Sequence, residues 1–193
     1  MADALEIKFD EKRLDDIRKL LRGIPNAMPK VISRGINRTT TSTRAEIARK
    51  IAAEVKITQT AVKKGIKVTK ATQTRWRADL DLFTKRIPLI KFGARPLKKG
   101  VSYKISKSGG RKKITDPARP FIQTLPSGHV GVFRRHTPET KRLPIVELKG
   151  PSVGSVFEGT AGIAAEVQES AGQKLEKNID QQVAFILSRR STG

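Results

Sequence analysis

The 193-residue sequence lacks several features, and each absence excludes a class of protein. It has no cysteine, which excludes disulfide scaffolds, thiolate metal sites and cysteine nucleophiles. Because it has no apolar run of about 18 residues, no membrane-spanning helix is predicted. The segment from Met1 to Glu6 is acidic and has no apolar core, so we expect no secretory signal and synthesis in the cytoplasm.

Motifs that carry catalysis are also absent. There is no phosphate-binding glycine-rich loop, no dinucleotide fingerprint and no Gly-x-Ser-x-Gly nucleophile motif. His129 and His136 are seven positions apart, and an odd separation places two residues on opposite faces of a strand. We therefore expect no metal shared between them. Asp79 and Asp81 share a strand face, but the surrounding arginines and lysines favour salt bridges over catalysis or magnesium binding. We therefore predict no enzymatic activity, no cofactor and no metal site.

The sequence is rich in positive charge, and that charge is concentrated. Lys and Arg number 40 against 18 Asp and Glu, which gives a formal net charge of +22. Residues 56–149 hold 24 basic and 5 acidic residues, whereas residues 1–55 and 150–193 have net charges of +4 and −1. A field of one sign over so long a segment attracts a polyanion. The alternative is a solvated surface that keeps the protein soluble.

Apolar residues at helical spacing predict helices in the first third of the chain. A short amphipathic helix is expected over Asp10–Arg22, with one face formed by Leu14, Ile17, Leu20 and Leu21. Asn26–Val55 is predicted as one long helix, or as two helices if the polar run Asn37–Thr43 interrupts it. A further short helix over Thr58–Lys64 would be capped by Thr58.

From Ile66 the apolar period changes to two, which predicts strands. Trp76 lies in the apolar phase of its strand, so we expect it in the core. The turn Ser108–Gly110 would join two strands in a hairpin with a basic tip, and further strands are predicted over Phe121–Leu125 and His129–Arg135.

Beyond Gly150–Gly154, helical spacing returns and predicts a long C-terminal helix, weakened near Gly159 and Gly162. Helices followed by an antiparallel sheet and a helix make an α+β fold. We predict a single domain over residues 1–193, with a helical part (10–55), a basic sheet part (56–149) and a C-terminal helix (150–193).

Ten basic residues on several elements are candidates for contact with nucleic acid or with an acidic partner. They are Lys63, Lys64, Lys98, Lys99, Lys107, Arg111, Lys112, Lys113, Arg134 and Arg135. No cluster of base-reading side chains accompanies them. The pattern therefore fits contact with a phosphate backbone and contact with an acidic protein surface equally well.

Three ordered blocks, Gly128–Arg135, Leu143–Leu148 and Lys149–Val153, together with Ile36–Thr39 in the helical third, resemble the prophage minor tail protein Z family. Its members are tail completion proteins of lambda-like, long-tailed phages. The resemblance extends from about residue 10 to about residue 187 and includes no catalytic signature.

The resemblance implies a structural virion protein that joins the finished tail, at its head-proximal end, to the head-tail connector. The partners it implies are further copies in a ring, often sixfold, the tail terminator and tail tube proteins, and phage DNA in the lumen, with no membrane. In such a ring, Ile145, Leu148 and Pro151 are candidate subunit contacts; otherwise they form a strand and a turn before the last helix. The alternative function is a standalone, sequence-nonspecific nucleic-acid-binding protein.

Overall fold

A computed structural model describes residues 11–115, 120–135 and 144–191 of the chain. The helices within these ranges are α1 (Glu11–Leu20), α2 (Ala27–Glu54), α3 (Gln59–Lys64), α4 (Val153–Gly159) and α5 (Ile163–Ser191). The strands are β1 (Ile66–Thr69), β2 (Asp79–Leu82), β3 (Arg95–Leu97), β4 (Gly100–Tyr103), β5 (Lys112–Ile114), β6 (Phe121–Thr124), β7 (Val130–Arg135) and β8 (Ile145–Glu147). These helices and small antiparallel sheets confirm the predicted α+β class. Asp10, His136 and Leu143 lie outside the described residues.

The first long helix forms as one 28-residue element, α2. Its middle turn is rich in threonine and serine, whose side chains compete with the helical backbone for hydrogen bonds. Thr40, Thr41 and Ser42 each donate instead to the carbonyl oxygen four residues earlier, at 2.8–3.0 Å. Because these hydroxyls bond within the helix, the polar turn continues α2 and does not divide it.

The C-terminal helix, in contrast, is interrupted. α4 ends at Gly159, α5 begins at Ile163, and Gly162 between them has a φ of +84°. Glycine adopts this left-handed conformation without steric cost, whereas other residues are strained there. The predicted weak point near Gly159 and Gly162 is therefore a complete break.

The chain divides into two compact units whose segments alternate along the sequence. The helical unit comprises Met1–Ile47, Ile66–Leu82 and Thr160–Gly193. The sheet unit comprises Ala48–Gly65 and Phe83–Gly159. Each unit has its own set of buried apolar side chains.

In the helical unit, α2 and α5 are antiparallel and are joined by a polar layer. Asn178 donates to Thr39 Oγ1 at 2.9 Å, and Ser170 donates to Glu46 Oε2 at 3.0 Å. Lys174 forms an ion pair with the same carboxylate, which is almost fully buried. Apolar side chains of α1, α2 and α5 complete the core of this unit, including Ile17, Leu21, Val31, Ile32, Ile179 and Val183.

The sheet unit contains two three-stranded antiparallel sheets, β3–β4–β5 and β6–β7–β8. Phe92, at the end of a 3₁₀ turn over Leu89–Phe92, is fully buried, as are Val101 of β4 and Val132 of β7. A Cβ atom at Gly150 would lie 2.6 Å from the ring of Phe92. A side chain at this position would therefore displace the core aromatic ring.

Two side chains expected inside the core are exposed. Trp76 lies before the start of β2, has 40% of its surface exposed, and donates its indole N–H to Gln73 O at 2.9 Å. The prediction that it packs in the core is wrong because the strand is shorter than its alternating pattern. Leu20, in the last turn of α1, is 55% exposed, whereas Ile17 and Leu21 are buried as predicted.

Gly35 allows α5 to approach α2 closely, and we expect its replacement by alanine to destabilise the protein. A Cβ atom here would lie 2.6 Å from Cδ1 of the buried Ile179. The resulting overpacking should exceed the gain in helix propensity, so Gly35→Ala should lower the free energy of unfolding by about 1–2 kcal/mol. Gly172→Ala in α5 is the matched control: nothing lies within 4 Å of its Cβ position, so it should stabilise by about 0.5–1 kcal/mol. Urea denaturation of both variants measures the difference, and equal effects would contradict the close approach.

The buried carboxylate of Glu46 gives a second stability test. Glu46→Ala removes the partner of the Lys174 ammonium and of the Ser170 hydroxyl. Because Lys174 is about one-third exposed, the expected loss lies near the lower limit for a broken buried pair, about 2–3 kcal/mol in the free energy of unfolding. The exposed Glu54, on the same helix, is the control, and Glu54→Ala should change stability by less than about 0.5 kcal/mol. Similar losses in the two variants would show that the polar layer adds nothing.

Candidate functional site

The sheet β3–β4–β5 carries the most uneven charge in the described chain, and we call it the basic sheet. Residues 83–115, which contain this sheet, include eleven lysines and arginines and no aspartate or glutamate. None of these eleven side chains forms an ion pair with any of the other described residues. Their charges are therefore left for solvent or for an external anion.

The strand register gives the basic sheet an apolar face and a cationic face. On the apolar face, Val101 is fully buried and lies between Pro96 of β3 and Ile114 of β5. Directly opposite residues in a sheet share a face, and successive residues alternate between faces. The next row, Arg95–Ser102–Lys113, therefore lies on the other face, and its two charged members are exposed.

Arg111 holds the cationic face together. Its guanidinium Nη2 donates to Gly93 O at 2.9 Å and to both O and Oγ of Ser102 at 3.1 Å. These bonds join the loop before β5 to β4 and to the residue that follows the 3₁₀ turn. Ser102 is buried beneath this contact. Arg111 thus uses Nη2 to position the cationic face, while the side chain as a whole stays exposed.

The two turns of the basic sheet extend its positive charge. Lys98 and Lys99 form the tip of the β3–β4 hairpin, and both are exposed. The hairpin depends on Gly100, which has a φ of +122° and whose Cβ position would collide with the carbonyl oxygen of Ile114. Lys107 lies in the β4–β5 connection with its side chain exposed, while its backbone N–H donates to Glu54 O at 2.8 Å.

The remaining basic candidates lie on other elements of the sheet unit. Lys63 and Lys64 occupy the last turn of α3, which begins, as predicted, at the cap formed by Thr58. Arg134 and Arg135 are exposed at the end of β7, opposite Val146 and Ile145 of β8, so they point to different faces of that sheet. The structure therefore brings Arg95, Lys98, Lys99 and Lys113 into one surface and places the other candidates elsewhere.

The three candidate subunit contacts also take part in the sheet unit. Leu148 donates its N–H to Val132 O at 2.7 Å and accepts a bond from Leu89 N at 2.9 Å. Pro151 O accepts from Ile87 N at 3.2 Å. Ile145 begins the edge strand β8, and the side chains of Ile145, Leu148 and Pro151 are half-buried.

Charged pairs outside the basic sheet are ordinary salt bridges. Asp79 accepts from Arg77 Nε at 2.7 Å and also pairs with Arg75, and these arginines lower the pKa of its carboxyl, Arg77 most strongly. His129 Nε2 lies 2.7 Å from Glu147 Oε1. These pairs confirm the salt bridges predicted for Asp79 and the hydrogen-bonded role predicted for His129.

Residues 11–115, 120–135 and 144–191 contain no group of three or more His, Asp or Glu side chains placed to hold a metal ion. Within the same ranges, no helix combines the length and hydrophobicity that a membrane span requires.

Comparison with known proteins decides the family. The model of the family described as prophage minor tail protein Z (GPZ) matches residues 12–190, which is most of the chain. The chain belongs to this family. Neither the curated proteins nor the solved structures contain a significant match. As a minor tail protein, it is a structural component of a phage tail and of the virion.

The geometry of this minor tail protein separates candidates that are adjacent in sequence. Arg111, Lys112 and Lys113 appear as one basic run, yet Arg111 bonds to Ser102, Lys113 joins the cationic face, and Lys112 lies opposite Tyr103 on the face of Val101. Arg95 belongs to the surface although it is not among the predicted contacts. The absence of acidic residues from 83 to 115 is the sequence signal that could have included it.

Arg111 and Lys113 should therefore differ in their effects on stability. Arg111→Gln removes charge-assisted bonds to Gly93 and Ser102 and should lower the free energy of unfolding by about 1–3 kcal/mol. Lys113→Gln removes the same charge from an exposed side chain and should change it by less than about 0.5 kcal/mol. Thermal and urea denaturation compare the two variants. If Arg111→Gln is as stable as Lys113→Gln, Arg111 is a surface charge and not a positioning residue.

Proposed function

We propose that this minor tail protein completes the phage tail at its head-proximal end, where it joins the tail to the head-tail connector. The observation that carries the proposal is the acid-free cationic surface of the basic sheet on a structural tail protein. Unpaired positive charges repel one another and favour an anionic partner. In a phage particle the genome is the most concentrated polyanion, and the head-proximal end of the tail is where it enters.

The work proposed for the protein is mechanical coupling, without catalysis. Its partners would be the tail terminator, the tail tube and the head-tail connector, whose surfaces the basic loops can meet through complementary charge. Complementary charge sets orientation and register more than affinity, which suits the joining of two preassembled parts. Phage DNA would pass through or stop within the lumen.

The proposed assembly is a homo-oligomeric ring of six copies. Among the described strands, β8 pairs with β7 alone, so its other side can accept another chain. Val146 of β8 and Val130 of β7 are about 40% exposed, and Arg134 lies with them on one face. Together with Ile145, Leu148 and Pro151, this edge offers an apolar contact between subunits that otherwise carry like charge.

A second candidate function is a standalone nucleic-acid-binding protein without sequence preference. The same cationic surface favours it, because phosphate contacts alone support nonspecific binding. The two functions differ in location: a tail completion subunit stays in the mature particle at a fixed copy number, whereas a standalone binder does not.

Purified particles test the proposal. We expect particles made without this protein to contain separate heads and tails that fail to join, and complete particles to hold one ring of it per tail. Quantitative mass spectrometry gives its copy number relative to the tail tube protein, counted per tail ring, and negative-stain images score joining. Mutation of the tail tube protein gives a control in which tails themselves are missing. Normal joining without the protein, or its absence from mature particles, would refute the proposed role.

A further inference from the structure

We infer that the cationic face of the basic sheet binds the phosphate backbone of double-stranded DNA without reading its sequence. The surface consists of Arg95 and Lys113 on the face itself and Lys98 and Lys99 at the hairpin tip. The inference rests on the proposed function, because a tail protein at the head-proximal end is placed where it meets the phage DNA. It identifies which residues make that contact and which do not.

The charge of this surface is uncompensated within the described chain. Arg95, Lys98, Lys99 and Lys113 are all exposed, and none pairs with another described side chain. Each lysine or arginine that neutralises a phosphate releases a condensed counterion, which drives binding. A duplex carries one negative charge per about 1.7 Å of its axis, so a flat cationic face meets several phosphates at once.

The residue types present favour backbone contact over base reading. Segment 83–115 contains no Asn, Gln, Asp, Glu or His, so most of the side chains that pair with base edges are missing. Arg111 is bonded through Nη2 to Gly93 and Ser102, so Arg95 is the one arginine of the proposed surface. The surface would therefore recognise DNA by the charge and the spacing of its phosphates.

The same surface favours a duplex over a single strand. Proteins that bind single strands stack bases on exposed aromatic rings. On the basic sheet the one aromatic residue of the strands, Tyr103, is half-buried and lies on the face of Val101, away from the cationic row. The cationic face therefore has no stacking platform.

Phosphates also fit this surface better than an acidic protein does. Eight of the eleven basic residues in 83–115 are lysines, which are depleted in protein interfaces. Such interfaces are anchored by buried aromatic or arginine side chains. In the three described strands of the basic sheet, Leu97 is the only large apolar residue that is exposed and could serve as an anchor. Lysines act as point charges on flexible stems, which suits contact with a repeating backbone.

The decisive experiment measures DNA affinity of the full-length protein as a function of salt. The probe is a 30-base-pair duplex of random sequence, followed by fluorescence anisotropy. The test variant carries Arg95→Gln, Lys98→Gln, Lys99→Gln and Lys113→Gln. The control variant carries Arg34→Gln, Lys67→Gln, Lys70→Gln and Lys177→Gln, which removes the same charge from exposed positions of the helical unit.

We expect the test variant to bind at least about thirtyfold more weakly at about 0.1 M salt. Its log–log salt slope should be smaller by about 3.6, since each of the four lost phosphate contacts contributes about 0.9. The control should change affinity by less than about threefold. Circular dichroism checks that both variants are folded. If the fourfold variant unfolds, the single variant Lys113→Gln replaces it, and we expect its salt slope to be smaller by about 0.9.

Parallel joining assays, in which purified heads and tails are mixed with the protein, separate this inference from the proposed function. If the test and control variants bind DNA equally well, the phosphate surface lies elsewhere and the inference is overturned. If the test variant binds DNA normally but no longer joins heads to tails, the face docks on acidic protein: the inference fails and the proposed function stands. If DNA binding is lost as expected while joining needs no copy of this protein, the inference stands and the proposed function fails.

Discussion

Repulsion among like charges is the constraint that shapes the sheet unit. Eleven cations without one acid lie between residues 83 and 115, so no internal ion pair offsets their mutual repulsion there. The basic sheet is held instead by its backbone ladder, by the buried Val101 and by the bonds of Arg111 to Gly93 and Ser102. Arg111 therefore orders the surface that carries the other basic side chains. Any anion that binds there lowers the repulsion and stabilises the fold through linkage.

The helical unit handles its polar groups in the opposite way. Several of its polar side chains are buried and paired across α2 and α5, as in the contacts of Thr39 with Asn178 and of Glu46 with Lys174. The buried hydroxyl of Thr43 has no such partner among the described residues. A buried pair is satisfied in one register only, so we expect the polar layer, together with the close approach at Gly35, to favour the observed antiparallel register of two helices of nearly 30 residues.

Periodicity predicted the elements well and their environments less well. The helices, the hairpin with a basic tip and the strands over Phe121–Arg135 follow from apolar spacing and turn residues, because those signals are local. The exposure of Trp76 depends on where strand pairing stops, which spacing does not encode. The glycines marked the weak point near Gly162, but the positive φ that breaks the helix there appears only in the structure. The predicted division into residues 10–55, 56–149 and 150–193 follows secondary structure, whereas each compact unit draws on more than one of these parts.

The candidate site shows the same limit. Composition located the charge correctly, but neighbouring basic residues were treated as one cluster. A strand sends Lys112 and Lys113 to opposite faces, and only cross-strand register brings Lys113 into line with Arg95. The internal use of Arg111 depends on Gly93 and Ser102, which are 18 and 9 residues away in sequence. Contacts between residues so far apart in sequence can be identified only in the folded sheet.

A surface built mainly from lysine also has a mechanical consequence for a tail protein. A bidentate arginine contact prefers one geometry, whereas a lysine ammonium accepts a phosphate from many directions. On a surface that binds DNA in this way, the contact energy would vary little with position along a duplex, so DNA would be held and would still move along its axis. If the basic sheet binds DNA as inferred above, this surface would retain the genome by charge with little resistance to its passage.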